Sequence, residues 1–168
     1  MHIRPVEKRD FAALQEIEQA TAEQFRSIGI PAIADLGSFS DEELIEFVDA
    51  GRAWAAVDEH DVPLGFLVAS VVDGCLHISE VDVHPRAARR GIGRRLIEHA
   101  DDGEHPALVL TTFRDVPWNS PYYQRLGFVI LADDQLTPGL RAIREFQATI
   151  GLDAWPRVCM RRESPRRS

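Results

Sequence analysis

Residues 81–96 constrain the fold of this chain more than any other segment. They begin with the pattern of a strand and end with the spacing of an amphipathic helix, in which Ile92 and Leu96 share an apolar face. Gly91 and Gly93 therefore fall at the strand-to-helix loop and in the first helical turn. Glycine lets a ligand approach the main chain closely, and the first amides of a helix have no partner within it. The segment thus predicts an anion site suited to a phosphate or pyrophosphate.

Basic side chains surround these glycines and would strengthen such a site through charge-assisted hydrogen bonds. They are Arg86, Arg89, Arg90, Arg94 and Arg95. The loop fits neither the Walker nor the Rossmann pattern, because Arg94, Arg95 and Leu96 follow Gly93. From the glycines alone, a flexible helix start with a solvated basic face is an equally good interpretation.

The chain has 168 residues, of which 45% are hydrophobic and 27% are charged, as is ordinary for one soluble globular domain. We predict a single domain over residues 1–163, followed by a basic C-terminal tail over residues 164–168. No apolar run approaches the ~20 residues of a membrane span, and the N-terminus has no apolar signal region. Because the two cysteines form no paired motif, the chain is predicted to be cytoplasmic.

The formal net charge of −8 argues against nucleic acid as a partner, since such proteins carry a basic excess that displaces counterions from phosphates. An acidic surface would instead attract a cationic substrate such as an amine. The histidines lack the spacing of metal ligands, so no metal is expected.

The periodicity predicts an α+β fold with a mixed, mostly antiparallel sheet flanked by helices. Strands are expected at residues 1–6, 53–57, 64–72, 76–83, 107–112, 127–131 and 157–160. Asp10 is expected to cap the first helix, which ends near Gly29 and Pro31. Ser40 has the capping-box pattern and begins a second helix that extends to Gly51. A late helix over residues 138–151 carries Leu140, Ile143, Phe146, Gln147 and Ile150 on one side.

Two motifs resemble those of the GNAT superfamily of N-acetyltransferases. Residues 81–85, Val-Asp-Val-His-Pro, lead through basic residues into Arg-Gly-Ile-Gly-Arg at residues 90–94, as in motif A of that family. Residues 122–128, Tyr-Tyr-Gln-Arg-Leu-Gly-Phe, resemble the end of its motif B. The separation of the motifs and the order of elements fit over nearly the whole chain. The resemblance implies a GNAT fold and transfer of an acetyl group from acetyl-CoA to a primary amine.

In this family the loop amides bind the pyrophosphate of acetyl-CoA, so the resemblance also implies the cofactor-binding residues. They are Val81, Asp82, Val83, Arg89, Arg90, Gly91, Ile92, Gly93, Arg94 and Asn119. Ala88 stands where the family usually has Gln or Arg, and Arg89 or Arg90 would replace that phosphate contact. Asn119 lies four residues before Tyr123, closer than the CoA-contacting asparagine of many members.

Acetyl transfer needs a base, because an alkylamine with a pKa near ~10.4 is charged at pH 7, and an acid for the leaving thiolate. Tyr123 aligns with the family's general-acid tyrosine. For the base, Glu80 matches a common family glutamate, and His77 lies where some members carry theirs. The structural alternatives are a Glu80 carboxylate paired with an arginine and a His77 that is an ordinary strand residue.

Direct attack in a ternary complex is favoured over an acyl-enzyme, because neither Cys75 nor Cys159 lies in the motifs. A non-catalytic acyl-CoA-binding or regulatory module with the same fold is the alternative function. A nucleotide-binding protein is a third, against which the missing Walker lysine argues. A small-molecule amine or amino acid is favoured over a protein as the acceptor, and the chain is expected to be a monomer or a homodimer.

Overall fold

The computed structural model describes residues 1–165, and it divides into two compact units. The first contains Met1–Ser70 and Ser79–Ala100, and the second contains Val71–Ile78 and the described chain from Asp101 onward. Of the predicted basic tail, residues 166–168 lie outside the described residues.

Two strands, most of a third strand and four α-helices lie within the first unit. The strands are β1 (His2–Pro5) and β2 (Ala53–Val57), with most of β3 (Pro63–Val72). The helices are α1 (Phe11–Ser27), α2 (Pro31–Asp35), α3 (Asp41–Asp49) and α4 (Ile92–Ala100). Strand β1 pairs antiparallel with β2, and β2 pairs antiparallel with β3. The second half of strand β4 (Cys75–Val83) also belongs to this unit.

The core of the first unit lies between its helices and its strands. Leu14 and Ile17 of α1 and Leu44 of α3 are almost fully buried, and they pack with strand residues such as Phe66 and Val68. Leu14 and Ile17 are three residues apart, which places both side chains on one face of an amphipathic α1. Burial of such side chains stabilises a fold by about 1.5–3 kcal/mol each.

The second unit is built on the first half of β4 and the C-terminal elements. These are β5 (Ala107–Phe113), α5 (Ser120–Arg125), β6 (Val129–Ile130), α6 (Pro138–Thr149) and β7 (Arg157–Glu163). Strand β4 pairs in parallel with β5, where Leu76 lies opposite Leu108 and His77 opposite Val109. Strand β7 pairs antiparallel with both β5 and β6.

The strands form one sheet in the order β1-β2-β3-β4-β5-β7-β6. Its one parallel pair among the described strand pairings is β4 with β5, and helices flank the sheet. The predicted α+β fold with a mixed, mostly antiparallel sheet is therefore confirmed.

Asp10 does not cap α1, contrary to the prediction. Helix α1 begins at Phe11, but the Asp10 carboxylate accepts hydrogen bonds from the Glu7 backbone N–H at 2.8 Å and from the Arg4 guanidinium at 2.8 and 3.0 Å. The carboxylate therefore binds the preceding turn and the Arg4 guanidinium instead of the first amides of α1. These contacts lower the pKa of Asp10 against the opposing effect of its burial.

Other features also differ from the sequence prediction. A short helix, α2, follows Gly29 directly, because Pro31 occupies its first turn, where proline is well tolerated. Strand β6 contains only Val129–Ile130, two residues of the strand that was predicted over residues 127–131. On α6, Leu140 is buried as its spacing suggested, whereas Phe146 is 64% exposed and Ile150 is exposed as well. The apolar side of α6 is therefore only partly covered within the described residues.

Candidate active site

The glycine loop at the start of α4 leaves room for a ligand beside its main chain. Gly91 has φ +71° and immediately precedes Ile92, the first residue of α4. A Cβ built on Gly91 would meet no atom within 4 Å. The space beside the Gly91 main chain is therefore open, and the dipole of α4 favours an anion at the helix start.

The loop is held in place by short backbone hydrogen bonds around His84. The His84 N–H donates to the Leu64 carbonyl at 2.8 Å, and the Ala87 N–H donates to the His84 carbonyl at 2.8 Å. The His84 ring contributes too, since its Nδ1 accepts from the Arg86 N–H at 3.1 Å. Ala87 is buried. The chain between β4 and Gly91 is thus a fixed turn.

Gly65 of β3 supports the same segment through close packing. A Cβ on Gly65 would lie 2.8 Å from the Asp82 carbonyl oxygen, 3.2 Å from Val83 Cγ2 and 3.3 Å from Ile92 Cγ2. A strand residue with a side chain could not approach β4 this closely. Gly65 therefore sets the position of Asp82, Val83 and Ile92, and sequence reasoning did not single it out.

The predicted cofactor-binding arginines differ in their surroundings. Arg89, Arg90 and Arg94 are all exposed, and Arg94 donates to Glu98 at 2.7 Å in an i,i+4 pair. Arg89 and Arg90 form no ion pair with the described residues. The Ile92 side chain is 2% exposed, so Ile92 could meet a ligand only through its main chain.

Asp82, predicted as a cofactor-binding residue, directs its carboxyl toward α1. The carboxyl hydrogen bonds with Thr21, and burial raises its pKa well above the ordinary range, although the hydrogen bond acts in the opposite direction. Its main chain remains in the predicted cofactor segment, between Val81 and Val83. The side chain therefore does not fit the predicted cofactor contact.

Glu18 of α1 is a second half-buried carboxyl in this region, and sequence reasoning missed it. Burial raises its pKa to about 7; a hydrogen bond from the Phe39 N–H at 3.1 Å lowers it, whereas the charges of Asp82 and Glu43 raise it further. The sequence feature that could have pointed to Glu18 is the presence of a glutamate on the partly apolar face of α1. Nothing in the sequence indicated that Asp82 would lie near it.

The two candidate bases are placed differently. Glu80 is half-buried, and alternation along β4 puts it on the same face as Asp82, the face that α1 covers. His77 is buried in the second unit at 8% exposure, and burial lowers its pKa to about 4. The His77 imidazole is therefore neutral at pH 7 and weakly basic.

Tyr123 is buried in the second unit at the end of the short helix α5. Its ring makes edge-to-face contacts with Tyr122 at 5.4 Å and Phe128 at 5.8 Å between centroids. Its N–H donates to the Asn119 carbonyl at 3.0 Å. The Asn119 Oδ1 atom is buried and has no hydrogen-bond partner among residues 1–165, so this amide could accept a hydrogen bond from a ligand.

The predicted site residues thus fall into two groups. Glu80, Val81–Val83 and Arg89–Arg94 belong to the first unit, around the end of β4 and the start of α4. Tyr123, Asn119 and His77 belong to the second unit.

A family model described as "Acetyltransferase (GNAT) domain" matches residues 49–130. This segment contains β2 to β6, with the glycine loop and Tyr123. Residues 49–130 therefore match the GNAT superfamily of acetyltransferases. The predicted resemblance is confirmed, and the described β-strand order is that of a GNAT sheet.

Solved structures of N-acetyltransferases have the same fold. The PaiA N-acetyltransferase of Thermoplasma acidophilum, solved with coenzyme A, has a TM-score of 0.69 and 15% identity over 96% of this chain and 98% of its own. The ribosomal-protein-S18-alanine N-acetyltransferase of Escherichia coli has a TM-score of 0.65 and 17% identity over 99% of this chain and 96% of its own.

N-acetylglutamate synthase of Neisseria gonorrhoeae, solved with coenzyme A and N-acetyl-glutamate, has a TM-score of 0.70 and 15% identity. The match covers 98% of this chain and 35% of the synthase. The chain therefore spans about a third of that protein. Within residues 1–165, no helix has the length and apolar content to cross a membrane.

Proposed function

We propose that this GNAT protein transfers an acetyl group from acetyl-CoA to a primary amine by direct attack in a ternary complex. The observation that carries the proposal is the open space beside Gly91, directly before the first residue of α4, in a segment that matches the GNAT domain. Coenzyme A is bound in two of the similar structures, those of PaiA and of N-acetylglutamate synthase.

The glycine loop would hold the pyrophosphate of acetyl-CoA. The main-chain amides from Gly91 to Arg94 supply hydrogen-bond donors, and the exposed Arg89 and Arg90 supply charge where Ala88 offers none. The main chain of Val81 and Val83 would contact the pantetheine arm. The Asn119 Oδ1, which is buried without a described partner, is a candidate acceptor for an amide of that arm.

Glu80 is the better candidate for the base. A half-buried carboxylate can take a proton from the substrate ammonium, directly or through a water, and so free the nitrogen lone pair for attack. His77 is less suited, because its lowered pKa of about 4 makes it a weak proton acceptor. The amine nitrogen then bonds to the acetyl carbon while the carbon–sulfur bond breaks.

Tyr123 would return a proton to the CoA thiolate as it leaves. A phenol has the appropriate acidity for this step, and the aromatic contacts with Tyr122 and Phe128 fix the ring of Tyr123. After attack the nitrogen loses a second proton to water, Glu80 releases its proton to solvent, and Tyr123 regains a proton from solvent, so each turnover releases one proton overall.

A small-molecule amine or amino acid is the proposed acceptor, since the acidic chain attracts cations. The buried cysteines Cys75 and Cys159 are both free, which fits the reducing cytoplasm. We also propose a single domain over residues 1–163 that needs no metal and is a monomer or a homodimer.

Steady-state release of CoA thiol over a panel of amines tests the proposed reaction. Tyr123→Phe should lower kcat by about 10²-fold and leave the KM for acetyl-CoA nearly unchanged. Glu80→Gln should lower kcat most below pH 8, where the amine is mainly protonated. Tyr122→Phe, which keeps the neighbouring ring, and Glu16→Gln on the exposed face of α1 are the matched controls.

Binding of acetyl-CoA without acetylation of any amine would favour the non-catalytic acyl-CoA-binding module. Full activity in both Tyr123→Phe and Glu80→Gln would contradict the roles assigned to these residues.

A further inference from the structure

Three successive residues after α5 contact one arginine of β7, Arg162. The Arg162 Nη1 atom donates to the Leu126 carbonyl at 3.1 Å. The aliphatic stem of the same side chain lies beside Gly127, since a Cβ built on Gly127 would be 3.5 Å from Arg162 Cδ. The guanidinium lies over the Phe128 ring, with 5.1 Å between Arg162 Cζ and the ring centroid. Arg162 therefore holds residues 126–128, the end of the second motif.

The guanidinium of Arg162 is itself held by a buried carboxylate of the same unit. Its Nη2 atom donates to Asp101 Oδ2 at 3.0 Å, and the side chains of Arg162 and Asp101 are 18% and 5% exposed. A charge-assisted hydrogen bond between poorly solvated groups is stronger than one in water. A planar guanidinium can bind a carboxylate and a carbonyl through separate N–H groups while its face lies on a ring. The ion pair thus fixes the orientation of the guanidinium over Phe128.

The three residues held by Arg162 bind back to the end of α5. The Leu126 and Phe128 N–H groups both donate to the Tyr123 carbonyl, at 3.0 and 3.1 Å. The Gly127 N–H donates to the Gln124 carbonyl at 3.1 Å. The buried Phe128 ring meets the Tyr123 ring edge-to-face at 5.8 Å. Because α5 has six residues, it is too short to be stable alone, and the position of Tyr123 depends on these contacts.

We propose that Arg162 is a positioning residue for the phenol of Tyr123, and that it acts through residues 126–128. The inference rests on the proposed function, in which Tyr123 protonates the leaving CoA thiolate. Proton transfer needs the donor and the acceptor within hydrogen-bond distance, and a displacement of about 1 Å can lower a rate about 10²-fold. Loss of the Arg162 contacts should therefore slow the reaction while the acid itself remains present.

The decisive experiment is a double-mutant cycle of Arg162→Met and Tyr123→Phe, measured as steady-state release of CoA thiol. Methionine keeps an unbranched stem beside Gly127 but cannot donate to Leu126 or Asp101. Arg162→Met should lower kcat about tenfold. It should change the KM for acetyl-CoA less than about two-fold, because the proposed pyrophosphate site belongs to the first unit. In the Tyr123→Phe background it should change kcat less than about two-fold, because the acid that it positions is already absent.

Arg161→Met is the matched control, because it is the same substitution at the neighbouring residue of β7. Alternation along a strand puts Arg161 on the opposite face from Arg162, and Arg161 pairs with the exposed Glu163. Its kcat should stay within about two-fold of the wild type. If Arg162→Met does not fold because the buried Asp101 carboxylate loses its partner, Arg162→Met combined with Asp101→Asn removes both charges and should show the same loss of kcat.

Hydrogen exchange followed by mass spectrometry gives a readout independent of activity. The Leu126, Gly127 and Phe128 amides all donate to carbonyls of α5, so they should exchange slowly in the wild type. Arg162→Met should speed their exchange about tenfold or more, whereas Arg161→Met should leave it unchanged. Equal exchange of these amides in the two variants would show that Arg162 does not hold the segment, and would overturn the proposal.

The activity measurements distinguish failure of the positioning role from failure of the proposed function. If Tyr123→Phe is slow but Arg162→Met is as fast as Arg161→Met, the positioning role alone is wrong. An equal loss of kcat from Arg162→Met in the wild-type and Tyr123→Phe backgrounds would also overturn it, because the loss would not pass through the phenol. Full activity of Tyr123→Phe, or no acetylation of any amine by the wild type, would contradict the proposed function and the positioning role together.

Discussion

Arg89 has a backbone conformation that its side chain disfavours. Its φ is +63°, in the left-handed region, which costs a residue with a Cβ about 1–2 kcal/mol. It lies two residues before Gly91, in the turn that leads into α4. The turn is imposed by the bonds around His84 and by the start of the helix, so the surrounding structure holds Arg89 in this strained state.

Arg89→Gly should raise the free energy of unfolding by about 0.5 kcal/mol, because relief of the strain exceeds the added entropy of the unfolded chain. Arg90→Gly, one residue later and without a positive φ, should lower it by about 0.5–1 kcal/mol. Urea unfolding of the two variants measures the difference. Equal destabilisation by both substitutions would contradict the strain assigned to Arg89.

Sequence reasoning identified the candidate site residues that are indicated by the pattern of their neighbours along the chain. Gly91 and Gly93 could be placed at the loop and the helix start because their neighbours carry the strand and helix patterns. The contact of Asp82 with Thr21 and Glu18 could not be predicted, since it joins distant parts of the chain. Gly65 was missed for the same reason. A side chain at this position would collide with β4, which is distant along the chain.

Helix α3 shows how well a local signal can place an element. Ser40 accepts a hydrogen bond from the Glu43 N–H at 3.1 Å, and the Glu43 carboxylate accepts from the Ser40 N–H at 2.7 Å. Both bonds of the predicted capping box are present, and α3 begins at Asp41. Strand β6 shows the opposite case, because a short apolar run does not reveal how many residues find a partner on β7.

Ser40→Ala should lower the free energy of unfolding by about 1 kcal/mol, because it removes the acceptor for the first turn of α3. Ser27→Ala is the control, since Ser27 is exposed in the last turn of α1 and bonds only locally to the Gln24 carbonyl. Its effect should stay within about 0.5 kcal/mol. Equal effects of the two changes in thermal unfolding would contradict the capping role of Ser40.

At the scale of the whole molecule, the mixed, mostly antiparallel sheet could be predicted from the alternation of strands and helices together with the two motifs, whereas the order of the strands within the sheet was not predicted. Net charge could not locate the site, since a chain of net charge −8 carries five arginines within residues 86–95. The fold does not identify the substrate that accepts the acetyl group, because one fold supports many substrates.

The measurement that tests the account most directly is acetyl-CoA binding by calorimetry to the wild type, Gly91→Glu and Gly51→Glu, with ATP and NAD as competing ligands. Gly51 matches Gly91 in having a positive φ, +70° against +71°, and in leaving its Cβ position open. We expect selective binding of acetyl-CoA, retained in Gly51→Glu and weakened about tenfold or more in Gly91→Glu, where a carboxylate would face the pyrophosphate. Unchanged binding in Gly91→Glu, or equal binding of ATP or NAD, would contradict an acetyl-CoA site at the start of α4.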